Sequence, residues 1–129
     1  MATKPFQHLL VYQVAEQFGD EVWCIVRQWD RMAQNSVGLQ LVRAADSIGA
    51  NIAEGTGRQS FKDNKRFVRI ARGSLYEAQH WLRRAYTRKL LTPDHVARLQ
   101  PLVERLGPLL NGYLRSIGTT RGPATPPKD

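Results

Sequence analysis

QLVRAADSIGANIAEGTGR, from Gln40 to Arg58, followed by RFVRIARGSLYEA, from Arg66 to Ala78, sets two helix-forming runs on either side of a glycine-rich corner. In the first run Leu41, Val42, Ala45, Ile48, Gly49 and Ile52 recur at spacings of three and four, so they share one helical face. Arg43, Ser47, Ala50, Asn51 and Glu54 fall on the other face, and the small residues let a neighbouring helix come close. The spacing predicts a helix from about Leu39 to Glu54. Gly55-Thr56-Gly57 is expected to end it, because glycine accepts the left-handed backbone of a helix C-terminus without a Cβ penalty.

Beyond the corner, Ser60 with Asp63 three residues later resembles a capping box, with Asp in place of the usual Glu. The helix it opens is predicted over about Phe61 to Leu90, roughly 45 Å at 1.5 Å per residue. At 100° per residue Phe67, Ala71, Ser74, Ala78, Leu82 and Ala85 form an apolar line, and Lys62, Lys65, Arg69, Arg72 and Arg83 lie opposite it.

Upstream, Leu10, Val11, Val14, Phe18, Val22, Ile25 and Trp29 predict a first helix over Leu10 to Trp29, with Gly19 inside it at a cost of about 1 kcal/mol. The turn-favouring segment AQNSVG, Ala33 to Gly38, reads as the first connection. Downstream, Thr92-Pro93 supplies an N-cap and a first-turn proline. Val96, Leu99, Val103, Leu106, Leu110, Tyr113 and Ile117 then mark a fourth helix. Pro101 and Pro108 fall at its outermost position, where water can reach the carbonyls they free, so the expectation is a bent helix rather than a broken one. After Gly118 the segment TTRGPATPPKD has no apolar spacing and reads as a disordered tail. The expected architecture is all-α: an antiparallel up-down-up-down four-helix bundle over residues 1–117 with a bent fourth helix, and a tail over 118–129.

A chain of 129 residues is the size of one domain, and 42% hydrophobic with 23% charged residues is ordinary for a soluble protein. No apolar run approaches the roughly 20 residues that span a bilayer, and the N-terminus lacks the apolar core of a signal peptide, so a cytoplasmic location and no membrane partner are expected. Cys24 is the single cysteine, which leaves no internal disulfide; a packed helix position is expected for it. The net charge of +8 is concentrated: between Arg58 and Arg98 stand eleven Lys or Arg against three carboxylates, a difference equal to the whole excess. Clustered cations of this kind favour a polyanionic partner.

YQVA (Tyr12 to Ala15), Arg43-Ala44-Ala45, Ser47-Ile48, Asn51 to Gly55, Gly57-Arg58 and Ala71-Arg72-Gly73-Ser74 with Glu77 resemble the bacterial four-helix-bundle family named for proteins encoded in intervening sequences of 23S ribosomal RNA genes. The match covers roughly the first 90 residues. That family in turn is similar to accessory proteins of diversity-generating retroelements, which form ring-like homopentamers contacting a reverse transcriptase and nucleic acid. The resemblance implies a non-enzymatic binding bundle, a homo-oligomer and in particular a pentamer. Two departures stand out: Val42-Arg43 occupies a position where the family often has two arginines, and the prolines of the fourth helix are not characteristic.

Arg58, Lys62, Lys65, Arg66, Arg69, Arg72, Arg83 and Arg84 are therefore the candidate nucleic-acid contacts, for RNA or DNA backbone. Against them stands a solvated face that only keeps the protein soluble. Arg43, Ser47, Asn51 and Glu54, with Ser74 and Glu77, form a polar ridge that fits contacts between helices or subunits better than a pocket. Gly55-Thr56-Gly57-Arg58 lacks the Gly-Lys-Ser/Thr ending and the preceding strand of a nucleotide loop. His8, His80 and His95 show no metal-ligand spacing, and no nucleophile-base or paired-carboxylate pattern is present. The sequence thus predicts no metal, no cofactor and no enzymatic activity. An alternative reading is a scaffold that binds an acidic protein.

Overall fold

The computed structural model describes residues 5–118, which hold four long helices: α1 (Leu10–Val26), α2 (Leu39–Thr56), α3 (Phe61–Thr87) and α4 (Pro93–Ser116). No strand occurs among the described residues. Each helix packs on its neighbour in sequence, and α1 also packs on α4, which closes the ring. Links of a few residues make successive helices antiparallel. No helix among the described residues is long and apolar enough to cross a membrane. The expected tail lies outside the described residues after Gly118.

The predicted stripes form the core. Phe18, Val22, Leu41, Ile48, Ile52, Leu106 and Leu110 are fully buried, each such side chain contributing roughly 1.5–3 kcal/mol of transfer free energy. Val68 and Leu75 of α3 and Leu102 of α4 are buried too, although they lie outside the predicted lines. The reason is that α3 meets both α2 and α4, and α4 meets both α1 and α3, so each presents a wider apolar face than one stripe. Phe67, Leu82, Val96, Val103 and Tyr113 end up half-buried at the edges.

The first connection differs from the expected one. α1 stops at Val26, the link is Arg27 to Asp30, and Ala33 to Gly38 is helical: a turn of α-helix over Arg31–Ala33 and a wider π-helical turn over Gln34–Gly38 lead directly into α2. Asp30 caps this start by accepting from the Ala33 amide at 3.0 Å. Gln34 Nε2 donates to the carbonyl of Arg27 at 2.9 Å, satisfying the end of α1. Gly38 is there for contact, not for turning: a Cβ on it would meet Val26 Cγ1 at 2.7 Å. Cys24 is a further correction, since it is exposed on the outer side of α1 instead of packed.

At the α2–α3 corner the glycines also act through packing. Gly57, the C-cap, has φ −85°, so the left-handed helix end expected there does not form. Gly55 lies inside α2, where a Cβ would collide with Asn64 Oδ1 and stand 3.1 Å from Phe67 Cβ and 3.2 Å from the Asn64 carbonyl. Two of these obstacles cannot swing away, so Gly55→Ala is expected to destabilise the protein by about 1–3 kcal/mol in denaturant titration. At Gly19 the close obstacle is the tip of the flexible Asp46 side chain, 2.7 Å away. Gly19→Ala should therefore be neutral or stabilising, and equal losses from both alanines would contradict this packing account.

α3 ends earlier than predicted, at Thr87, on a non-glycine residue: Lys89 takes φ 62°. The Lys89 amide donates to Tyr86 at 3.0 Å and the Leu90 amide to Ala85 at 2.9 Å, the paired bonds of a Schellman end. α4 begins with a reciprocal cap, Thr92 Oγ1 accepting from the His95 amide and His95 Nδ1 from the Thr92 amide, both at 3.1 Å. It then runs unbroken through Pro101 and Pro108, both exposed.

Candidate nucleic-acid interface

The eight candidate cations separate into two groups once side-chain partners are assigned. Ser60 caps α3 by accepting from the Asp63 amide at 3.0 Å, but the Asp63 carboxylate does not reach back to complete a capping box. It turns outward and holds two guanidinium groups, Arg58 Nε at 2.8 Å and Arg66 Nη2 at 2.8 Å. Glu54 adds an ion pair to Arg58 at 3.3 Å. The Arg58 and Arg66 guanidinium carbons lie 4.8 and 4.6 Å from the Phe67 ring centre, so the corner is a closed cluster of two cations, two anions and a ring. Arg72 is also engaged: it is half-buried and donates to Asn111 Oδ1 of α4 at 3.0 Å.

Lys62, Lys65, Arg69, Arg83 and Arg84 make no ion pair among the described residues. They are strung along the outward side of α3, over about 33 Å from Lys62 to Arg84. A shallow hollow of about 310 Å³ at the start of the helix is lined by Ser60, Lys62, Asp63, Arg66 and Arg69.

Hydrogen bonds from Arg58 and Arg66 hold the Asp63 carboxyl below its ordinary range. A depressed carboxylate stabilises the fold above its unfolded pKa, and that contribution disappears as pH falls through the depressed value. Asp63→Asn is thus expected to flatten the acid limb of a plot of melting temperature against pH. An unchanged acid limb would mean that the cluster does not form in solution.

The polar ridge joins α2 to α3 at one point. Ser74 Oγ donates to the Ile70 carbonyl at 3.1 Å, which leaves Ser47 Oγ to donate to Ser74 Oγ at 2.9 Å. Asn51 Nδ2 then donates to Ser47 Oγ at 2.9 Å and to the Ser47 carbonyl at 2.8 Å. The other members stay apart: Glu54 serves the corner, Glu77 accepts from Trp81 Nε1 at 3.3 Å, and Arg43 is exposed.

A family model described as 23S rRNA-intervening sequence protein matches residues 7–112. The chain belongs to the 23S rRNA-intervening sequence protein family. A crystal structure of a protein of unknown function from the S23 ribosomal protein family of Bacteroides thetaiotaomicron superposes with a TM-score of 0.73. The two are 20% identical over 83% of this chain and 96% of that one, a likeness that establishes the fold. No curated protein matches the sequence.

In this 23S rRNA-intervening sequence protein the most distinctive motif residues serve the fold. Ala44, Ala45, Ile48, Ile52, Gly55, Ala71 and Ser74 are buried between helices, and Arg58 is locked in the corner. Tyr76 of α3 is a further candidate, and the motif residue Gly73 takes on a second meaning beside it. Tyr76, 64% exposed, stands on the outward face, and Gly73 beside it has open space where a side chain would be. The signal was available in the spacing of seven between Arg69, Tyr76 and Arg83.

Proposed function

We propose that the protein is a non-enzymatic homo-oligomeric bundle that binds the backbone of RNA or DNA through the outward face of α3. The observation that carries this reading is the row of Lys62, Lys65, Arg69, Arg83 and Arg84, none of them neutralised by a carboxylate among the described residues. Unpaired cations can exchange counterions for phosphates, and the paired Arg58 and Arg66 cannot do so without breaking existing bonds. The family resemblance extends the proposal to a ring-like pentamer that assists a reverse transcriptase. Large apolar side chains left in solvent, among them Trp23 and Met32, offer contact area for such assembly.

The test is the binding of mixed RNA and DNA by the full chain over a salt series. Affinity that falls log-linearly with salt supports the proposal, and no binding at low salt overturns it. Light scattering on the same sample should give a multiple of 14.7 kDa; the monomer mass would refute assembly. A second reading, a scaffold for an acidic protein, has its own support. Leu82, Tyr86, Leu91, Val96, Leu99 and Val103 line an apolar groove of about 540 Å³ between α3 and α4, with Arg83 on its wall. Capture of one acidic protein that survives nuclease treatment would favour it.

A further inference from the structure

Lys62, Arg69, Tyr76 and Arg83 follow one another at intervals of seven residues, so they rise along α3 about 10.5 Å apart and drift only about 20° around it at each step. The ridge is therefore cation, cation, ring, cation. Tyr76 is 64% exposed, and its hydroxyl has no partner among the described residues. An exposed tyrosine flanked by cations on one ridge places a stacking face between groups that can hold phosphates.

Gly73 stands one turn before Tyr76 and one turn after Arg69. Unlike Gly19, Gly38 and Gly55, it has nothing within 4 Å of where its Cβ would be. No internal contact requires glycine here, in the interior of a 27-residue helix where alanine would be more favourable. Its effect is to leave the backbone bare one turn before Tyr76, which is a use of glycine where a ligand approaches closely.

We propose that this ridge prefers single-stranded nucleic acid, one base stacking on Tyr76 over the gap at Gly73 and the flanking phosphates meeting Arg69 and Arg83. The inference rests on the nucleic-acid reading above. A single strand can turn a base outward onto a ring, whereas duplex bases are held inside the stack, out of reach of a tyrosine on a convex helix.

The full chain is titrated with a labelled single-stranded oligonucleotide and with its duplex at one salt concentration, for the wild type, Tyr76→Ala, Tyr76→Phe and Gly73→Ala. Tyr76→Ala should weaken single-strand binding roughly tenfold to a hundredfold and leave its salt slope and the duplex affinity unchanged. Tyr76→Phe should bind as the wild type does. Gly73→Ala should raise the melting temperature and still lower single-strand affinity, a combination that loss of folding cannot produce. Unchanged single-strand affinity in Tyr76→Ala, or equal losses for strand and duplex, would overturn the stacking proposal while leaving the backbone-binding reading intact. A wild type that binds neither at low salt would remove both.

Discussion

Changing Lys62, Arg69 and Arg83 together to glutamine is expected to lower affinity for a single strand about a hundredfold at about 0.1 M salt. Each phosphate contact contributes about 0.7 to the slope of log affinity against log salt for a single strand, so three contacts are worth about two decades at that concentration. The slope itself should fall by about 2. Lys62, Arg69 and Arg83 are exposed and make no ion pair among the described residues, so the melting temperature should barely move. The control is Arg58→Gln with Arg66→Gln, which removes two cations already held by Asp63 and Glu54. That pair should cost much less binding and more stability. If both sets weakened binding alike, charge alone would be acting, and the distinction between paired and unpaired cations would be wrong.

Pro101→Ala with Pro108→Ala is expected to stabilise the protein by about 4 kcal/mol, raising the melting temperature by on the order of 10 °C. An interior proline costs about 3 kcal/mol relative to alanine, partly offset by the roughly 0.4–1 kcal/mol it saves by stiffening the unfolded chain. The two prolines leave the carbonyls of Ala97 and Glu104 without their helical donors, and both residues are exposed, where water can reach them. Alanine would restore both backbone bonds without disturbing Leu99, Leu102, Leu106 or Leu110 on the buried side. Thermal melts of the single and double variants check this. An unchanged or lower melting temperature would show that α4 needs proline at these positions in order to pack on α1 and α3.

Most of the fold was legible because its signals are local and periodic. The stripe from Val11 to Ile25, the small-residue face of Ala45 and Gly49, and the Thr92-Pro93 cap each appear where spacing and capping chemistry put them. The differences lie where a residue's type does not reveal its neighbours. Gly38, Gly55 and Gly57 are turn formers by type, yet none has a positive φ, and the first two are glycine because another element lies where a side chain would go. Lys89 shows the converse, a left-handed helix end formed without glycine. Cys24 looked like a core residue from its type alone and lies on the outer side of α1.

The candidate site was legible only as a quantity of charge. Counting placed the whole excess between Arg58 and Arg98, and helical angle placed much of it away from the core. Which cations remain free is a matter of distance between side chains. Asp63 neutralises Arg58 and Arg66, and Asn111, 39 residues further along the chain, holds Arg72. No spacing rule relates Arg72 to Asn111. By itself the order of residues determined four amphipathic helices, their antiparallel succession and the sign of the surface, since these follow from propensity, periodicity and composition. The tertiary structure alone decided which glycines are contacts, which arginines are already spent on carboxylates, and that the space at Gly73 is empty, because each depends on what another helix brings, or fails to bring, to within a few ångströms.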